Sequence, residues 1–270
     1  MSEIHATAAV HPDAEIADDT VVGPFAVVGQ GVKLAAGVNV GAHAVLEGDC
    51  TIGAGTRIHP FVAIGMPPQH RGDDGLTGRV AIGADCVIRE HVTVHRGTDR
   101  GTGTTTVGDR SYLMVGAHVA HDCIVGNDVT MANNATLGGH VVLGDGVYIG
   151  GLSAVHQNLN VGRLTMIGGV IGIRKNIVPF SLIVPNSIHP EGALRGPNIV
   201  GLRRNGFSRE AIRHIDTTMR FLFNGSGRLG ELIDDAAVAD TDQEVTQEIV
   251  DFVRNCLSRG FIGADFRNGS

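Results

Sequence analysis

The sequence gathers two histidines and a carboxylate in Ala117-His118-Val119-Ala120-His121-Asp122, with His140 and His156 farther along. A neutral imidazole beside a carboxylate is suited to taking a proton from an alcohol or amine, because the carboxylate orients the ring and stabilises its cation. His121 with Asp122 fits that chemistry. A solvated corner histidine and an aspartate bonding its own backbone in a turn would account for the same two residues, so the pair alone leaves both readings open. His95, in Val94-His95-Arg96-Gly97-Thr98, and His156 read as surface wall residues, and Cys123 as packing rather than nucleophile.

The elements that must hold these side chains announce themselves by period. An aliphatic residue recurs at every sixth position from Val10 through Ile16, Val22 and Val28 to Ile64, and again from Val107 through Leu113 and Val119 to Ile173, with Ile82, Ile88 and Val94 between the runs. The next residue is often small, as in Ile52-Gly53, Val125-Gly126, Leu143-Gly144 and Val161-Gly162, which suits a sharp corner. Three hexads close one triangular coil of 18 residues, each strand stacking on the last, and the aliphatic column fills the core of a parallel β-helix. A sandwich of independent strands would need alternation and hairpin turns, which are absent.

Counting in eighteens gives the chemistry a wall. His140 falls over Asp122 and Gly139 over His121 on the adjacent coil. Gly139, lacking a side chain, can present its N–H to a developing oxyanion, and base plus oxyanion donor describe acyl transfer.

Two polar interruptions, residues 66–79 with Pro67-Pro68 and residues 99–105 rich in Gly and Thr, are expected to protrude as loops and to carry function. The β-helix is expected over 1–190 and a small α-helical C-terminal domain over 191–270. There Ser208 is expected to cap REAIRHIDTTMRFLF, a turn to occupy 225–230, and Thr241 with Glu244 to form a capping box.

Composition narrows the partners. A net charge of -7 argues against a general nucleic-acid binder. Against that balance, Arg195, Arg203, Arg204, Arg209, Arg213 and Arg220 face only Glu210 and Asp216 in the same stretch, a docking place for something anionic. Four scattered cysteines, Cys50, Cys86, Cys123 and Cys256, form no C-x-x-C pair. The N-terminus lacks a basic start followed by an apolar stretch, and no run of about 18 apolar residues occurs, so a soluble cytoplasmic protein without membrane insertion is expected. Thirty-nine glycines, two tyrosines and no tryptophan suit many tight corners.

The repeat, HRGT at 95–98, AHVAHD at 117–122, NNATLGGHV at 133–141, AVHQ at 154–157 and GLRRNGFSREAI at 201–212 resemble, in order and over nearly the whole chain, the UDP-N-acetylglucosamine O-acyltransferase family of lipid A biosynthesis. The resemblance implies a left-handed coil, a homotrimer with active sites in clefts between subunits, and transfer of an (R)-3-hydroxyacyl chain from acyl carrier protein to the glucosamine 3-hydroxyl of a UDP-aminosugar. It implies no cofactor, the acyl carrier protein thioester being the donor. By residue matching, His121 is the general base, Asp122 orients it and Gly139 supplies the oxyanion donor. His118 and His140 contact the sugar, while His156 and Gln157 lie on the substrate cleft. Gly169 limits acyl length, its missing side chain implying a longer chain. Asn198 and Arg204 lie near the nucleotide end, where a guanidinium suits a diphosphate.

The chain departs from the family pattern at Val200, usually acidic, at Asn205, usually Arg, and at His70-Arg71-Gly72, usually Asp-Leu-Lys. These departures fall on acceptor and nucleotide contacts, which leaves a different acceptor open, such as a 3-amino sugar nucleotide. Two further readings share the architecture: a zinc carbonic-anhydrase-type enzyme, drawing on His118, His121 and His140, and a non-catalytic scaffold. Three nitrogens converging within about 2.1 Å of one point would be needed for zinc.

Overall fold

The computed structural model describes residues 1–72, 77–224, 228–239 and 244–266. Most hexads form a short strand that ends on the aliphatic residue, as in Thr136–Leu137, Val142–Leu143 and Tyr148–Ile149. Leu137, Leu143 and Ile149 are buried, and the residue before each one faces outward. Strands pair in parallel with the strand 18 positions on, for example Met131 with Ile149. The described strands make three sheets of 11, 9 and 8 strands, named here first, second and third after the order in which the chain visits them. The result is the left-handed parallel β-helix that the resemblance implied, an exception to the usual right-handed crossover.

Backbone in the left-handed region recurs every sixth residue, at Asp122 (φ 59°), Asp128 (φ 55°), Asn134 (φ 58°), His140 (φ 61°) and Gly146 (φ 66°). Asp, Asn, His and Gly tolerate that conformation best. The glycines directly after the aliphatic residues answer a different need from the one read in the sequence. Gly144 has ordinary φ, but a Cβ there would lie 2.5 Å from Arg163 N, so glycine lets successive coils approach closely.

Arg57 pairs with Val87, and Val87 with Tyr112, so these two coils carry 12 and 7 residues beyond the regular 18. The second interruption differs from the expected 99–105: Thr104–Val107 is a strand, and the chain leaves the coil at residue 96, after Thr93–His95. Neither loop simply protrudes; both return to the corner that carries His121.

Beyond residue 190 the chain first adds the strand Ala193–Pro197, which pairs antiparallel with Ser181–Val184 at the end of the first sheet. Helical structure begins only at α1 (Ile199–Arg204), followed by α2 (Arg209–Asn224), α3 (Leu229–Ala239) and α4 (Glu244–Asn255). Ser208 Oγ accepts from Ala211 N at 3.0 Å, the expected cap. Gly230 lies inside α3, where the sequence suggested a turn; residues 225–227 and Thr241 lie outside the described residues. Arg163 ties α4 to the coil through two 2.7 Å bonds to Glu248, its guanidinium stacked over Phe180. No helix among the described residues is long and apolar enough to cross a membrane.

Candidate active site

His121 sits at the corner between the second and third sheets, two residues after the strand His118–Val119 ends. Its Nδ1–H donates to Asp122 Oδ2 at 2.9 Å, which leaves Nε2 with a free lone pair. The ring is 12 % exposed, and the Asp122 side chain is fully buried. Burial alone would raise the Asp122 pKa, but hydrogen bonds from His121 and Thr98 outweigh it and hold the carboxyl below its ordinary value. Asp122 does not bond its own backbone, as a turn-forming aspartate would. Its oxygens accept from Thr98 N, Thr98 Oγ1 and Gly103 N in the second loop, and its own N–H donates to Thr105 Oγ1.

The eighteen-residue arithmetic holds at this corner. A Cβ on Gly139 would lie 2.5 Å from His121 Cε1 and 2.7 Å from Nε2, so the Gly139 backbone passes against the imidazole and any side chain there would collide with it. Among the described residues the Gly139 N–H has no protein acceptor. His140 packs edge-on against the His121 ring at 5.1 Å, with its Nε2 3.9 Å from Asp122 Oδ2. His70, from the first loop, covers His121 from another side at 5.6 Å.

His118 lies on the second sheet beside this corner. Its Nδ1 shares a 2.7 Å hydrogen bond with Thr93 Oγ1, and burial followed by the charge of His121 lowers its pKa. His95 corrects the sequence reading. Far from a surface wall residue, it is 6 % exposed, lies edge-on to His118 at 5.0 Å, and its Nδ1 has no partner. The strand Thr93–His95 ends on it just before the chain turns into the second loop, and that turn folds it inward. Burial, then His118 and His121, push its pKa down to about 4. Between about pH 6.5 and 4 the unfolded chain therefore binds a proton at His95 that the folded chain refuses, so stability falls as pH drops through that window. Replacing His95 by Gln is expected to flatten the dependence of melting temperature on pH there; a slope unchanged from wild type would show that another group is responsible.

Cys123 is buried with its thiol pushed up to about 12, chiefly by desolvation, as a packing residue requires. His121, Asp122 and His140 offer ligand atoms within 4.8 Å of one another, but Asp122 Oδ2 already accepts from Thr98 and His121, and His118 stands outside the group, tied to Thr93. Three histidines do not converge here among the described residues, contrary to what the zinc reading needs.

The remaining matched residues spread over the prism. Outward positions on the second sheet shrink from His118 through Thr136 and Ala154 to Gly172. His156 and Gln157 are exposed where this face meets the His121 corner, and Gly169 is exposed at the opposite corner, 18 positions after Gly151. Asn198, Arg204, Val200 and Asn205 line a cavity of 550 Å³ with Tyr148 and Met166 on the first sheet. Asn198 is also structural: it caps α1 by accepting from Gly201 N and donates to the Leu164 carbonyl. Of the arginine cluster, Arg195 is engaged by Asp265 and Arg220 by Asp216, while Arg203, Arg204, Arg209 and Arg213 remain exposed. In a triangular prism the first sheet lies opposite the corner between the second and third, so one chain cannot bring Arg204 and His121 to the same ligand.

Sequence reasoning missed Thr98, Gly103 and the burial of His95. The available signal was the Gly/Thr-rich insertion one coil before Asp122.

Known proteins resemble this chain throughout. Residues 177–262 match the family model described as UDP N-acetylglucosamine O-acyltransferase, domain 2, and residues 104–139 match that of the bacterial transferase hexapeptide, six repeats. The acyl-[acyl-carrier-protein]–UDP-N-acetylglucosamine O-acyltransferase of Caulobacter vibrioides is 46% identical over 95% of this chain and 96% of its own, and that of Syntrophobacter fumaroxidans 43% over 93% and 96%. The UDP-N-acetylglucosamine acyltransferase structure from Campylobacter jejuni superposes with a TM-score of 0.89 at 33% identity, covering 97% of this chain and 100% of that one. The Arabidopsis enzyme gives 0.81 at 26% identity over 97% and 99%. With relatives above 40% identity that cover nearly all of this chain and of their own length, the chain belongs to the UDP-N-acetylglucosamine O-acyltransferase family.

Proposed function

We propose that the protein transfers an (R)-3-hydroxyacyl chain from the thioester of acyl carrier protein to the glucosamine 3-position of a UDP-aminosugar, UDP-N-acetylglucosamine, in the first step of lipid A biosynthesis. The observation that carries this reading is the His121–Asp122 pair with the Gly139 backbone passing against the imidazole and its N–H free of a protein acceptor among the described residues. His121 Nε2 takes the proton from the sugar 3-hydroxyl as its oxygen bonds to the thioester carbonyl carbon. The carbonyl oxygen becomes an oxyanion, and the Gly139 N–H stabilises it. Collapse breaks the carbon–sulfur bond, and the departing thiolate takes the proton back from His121, leaving ester and free thiol. Asp122 stays ionised throughout and stabilises the intervening imidazolium.

His118, His140, His156 and Gln157 hold the sugar along the same face. The small outward residues leave room there for the acyl chain, with Gly169 at its far end. Asn198 and Arg204 take the nucleotide end. Because they stand opposite the His121 corner, a substrate touching both lies between two copies, which supports a homotrimer with sites in its clefts. Exposed Arg203, Arg209 and Arg213 offer a surface for the acidic carrier protein. The thioester supplies all the chemistry a cofactor would.

The acceptor has a second reading, a 3-amino sugar nucleotide, favoured by His70 standing over His121 and by Val200 and Asn205 lining the nucleotide cavity. Purified protein incubated with (R)-3-hydroxyacyl carrier protein and each nucleotide, followed by mass spectrometry, decides between them. A base-labile ester of UDP-N-acetylglucosamine is expected. A stable amide formed from the 3-amino nucleotide alone selects that acceptor, and no acylated nucleotide from either overturns the reading.

A further inference from the structure

The seven-residue insertion that leaves the coil at residue 96 closes around one carboxylate. We propose that it is a positioning device for the base: Thr98, acting through Asp122, sets the orientation and the proton affinity of His121. The inference rests on the reading of His121 as the general base.

A carboxylate offers about four lone-pair sites, and at Asp122 they are filled from two directions. Thr98 N reaches Oδ1 and Oδ2 at 3.1 and 3.2 Å, Thr98 Oγ1 reaches Oδ2 at 2.7 Å, and Gly103 N reaches Oδ1 at 3.0 Å. Thr102 Oγ1 also reaches Oδ1, at 3.2 Å, and His121 itself donates to Oδ2 at 2.9 Å. The Thr98 hydroxyl and His121 thus share one oxygen. The loop is shaped for this contact: a Cβ on Gly101 would lie 2.3 Å from Asp122 Cγ, and one on Gly97 would lie 2.2 Å from Gly103 C. Thr98 is 3 % exposed and Asp122 2 %, so water does not substitute for these donors. Such a ring of fixed donors around a buried carboxylate is more than a corner of the coil needs, since Thr105 Oγ1 already fixes the Asp122 backbone.

Two consequences follow from the shared oxygen. The hydroxyl holds Oδ2 where the His121 ring must meet it, and so fixes the direction of Nε2. It also draws charge from Oδ2, so the carboxylate stabilises the imidazolium less than a bare one would. Removing the hydroxyl leaves the charge more concentrated on the oxygen His121 uses, and the ring then keeps its proton to higher pH. Among the described residues, the other ionisable groups facing His121 are His140 at 5.1 Å, His70 at 5.6 Å and His118 with His95 behind it, none of them altered by the change.

The test compares Thr98→Val, Thr98→Ala and Thr98→Ser in the full-length protein, with melting curves for each. Thr98→Val and Thr98→Ala are expected to lose about tenfold in kcat with KM for the nucleotide within about twofold, the signature of a misdirected base rather than lost binding. Their acid limb in kcat/KM is expected to move up by about half a pH unit, and Thr98→Ser to restore both properties. The His121 ring titration, followed by 15N NMR without substrate and assigned against His121→Gln, is expected to move in the same direction. Wild-type kcat in the folded Val and Ala variants, an unmoved His121 titration, or failure of Ser to restore it overturns the proposal. Absence of acyl transfer in wild type would instead remove the functional reading, while the titration still decides whether Thr98 governs His121.

Discussion

Replacing His121 by alanine is expected to lower kcat by about a thousandfold while leaving the melting temperature close to wild type, general-base catalysis contributing roughly that much. The ring lies at a corner, partly exposed, outside the aliphatic column that holds the coils together. Its loss therefore removes the proton acceptor without opening a core cavity. Asp122 would keep its Thr98 and Gly103 donors, so the buried carboxylate is not left unpaired, which is the usual route by which such a deletion destabilises a protein. Steady-state kinetics with circular-dichroism melts check both halves. Turnover within about tenfold of wild type would remove His121 from the role of base.

The second large effect is expected from one added methyl group. In Gly139→Ala the new Cβ would start 2.5 Å from His121 Cε1 and 2.7 Å from Nε2, inside any real van der Waals contact. The backbone cannot yield easily, because Gly139 O accepts from Asn158 N and His140 N donates to His121 O across the stacked coils. The imidazole must therefore swing away, weakening its bond to Asp122 and withdrawing Nε2 from the place where the hydroxyl must lie. A displacement of about 1 Å at a reacting group costs on the order of a hundredfold in rate, and that is the expected loss in kcat. A kinetic comparison of the folded variant with wild type checks this, and unchanged kcat would show that Gly139 neither touches the base nor serves the oxyanion.

Much of the β-helix was legible because its information is local and repeated. Leu137, Leu143 and Ile149 each say the same thing six residues apart, and stacking turns that period into a spatial register: His140 above Asp122 and Gly139 above His121 follow from addition alone. The loops obey no period. Residues 104–105 look like loop, being Thr-rich, yet they continue the third sheet; Gly230 looks like a turn yet lies in α3. His95 carries the same pattern as an outward strand residue, and only the turn into the second loop buries it.

Sequence by itself therefore determined the coil, its 18-residue register, the meeting of His121 and Asp122 with Gly139 and His140 at one corner, and the family to which the chain belongs. Only the tertiary structure decided that the second loop folds back to fill the Asp122 lone pairs, that His70 covers His121, and that Arg204 lies on the side of the coil away from His121. The division has a physical cause. Hexad strands are specified by one aliphatic residue recurring every six positions, whereas the Thr98–Asp122 contact spans 24 residues and depends on how an aperiodic insertion closes. The placement of Arg204 opposite His121 depends on the three-sided cross-section of the whole coil, which no single segment encodes.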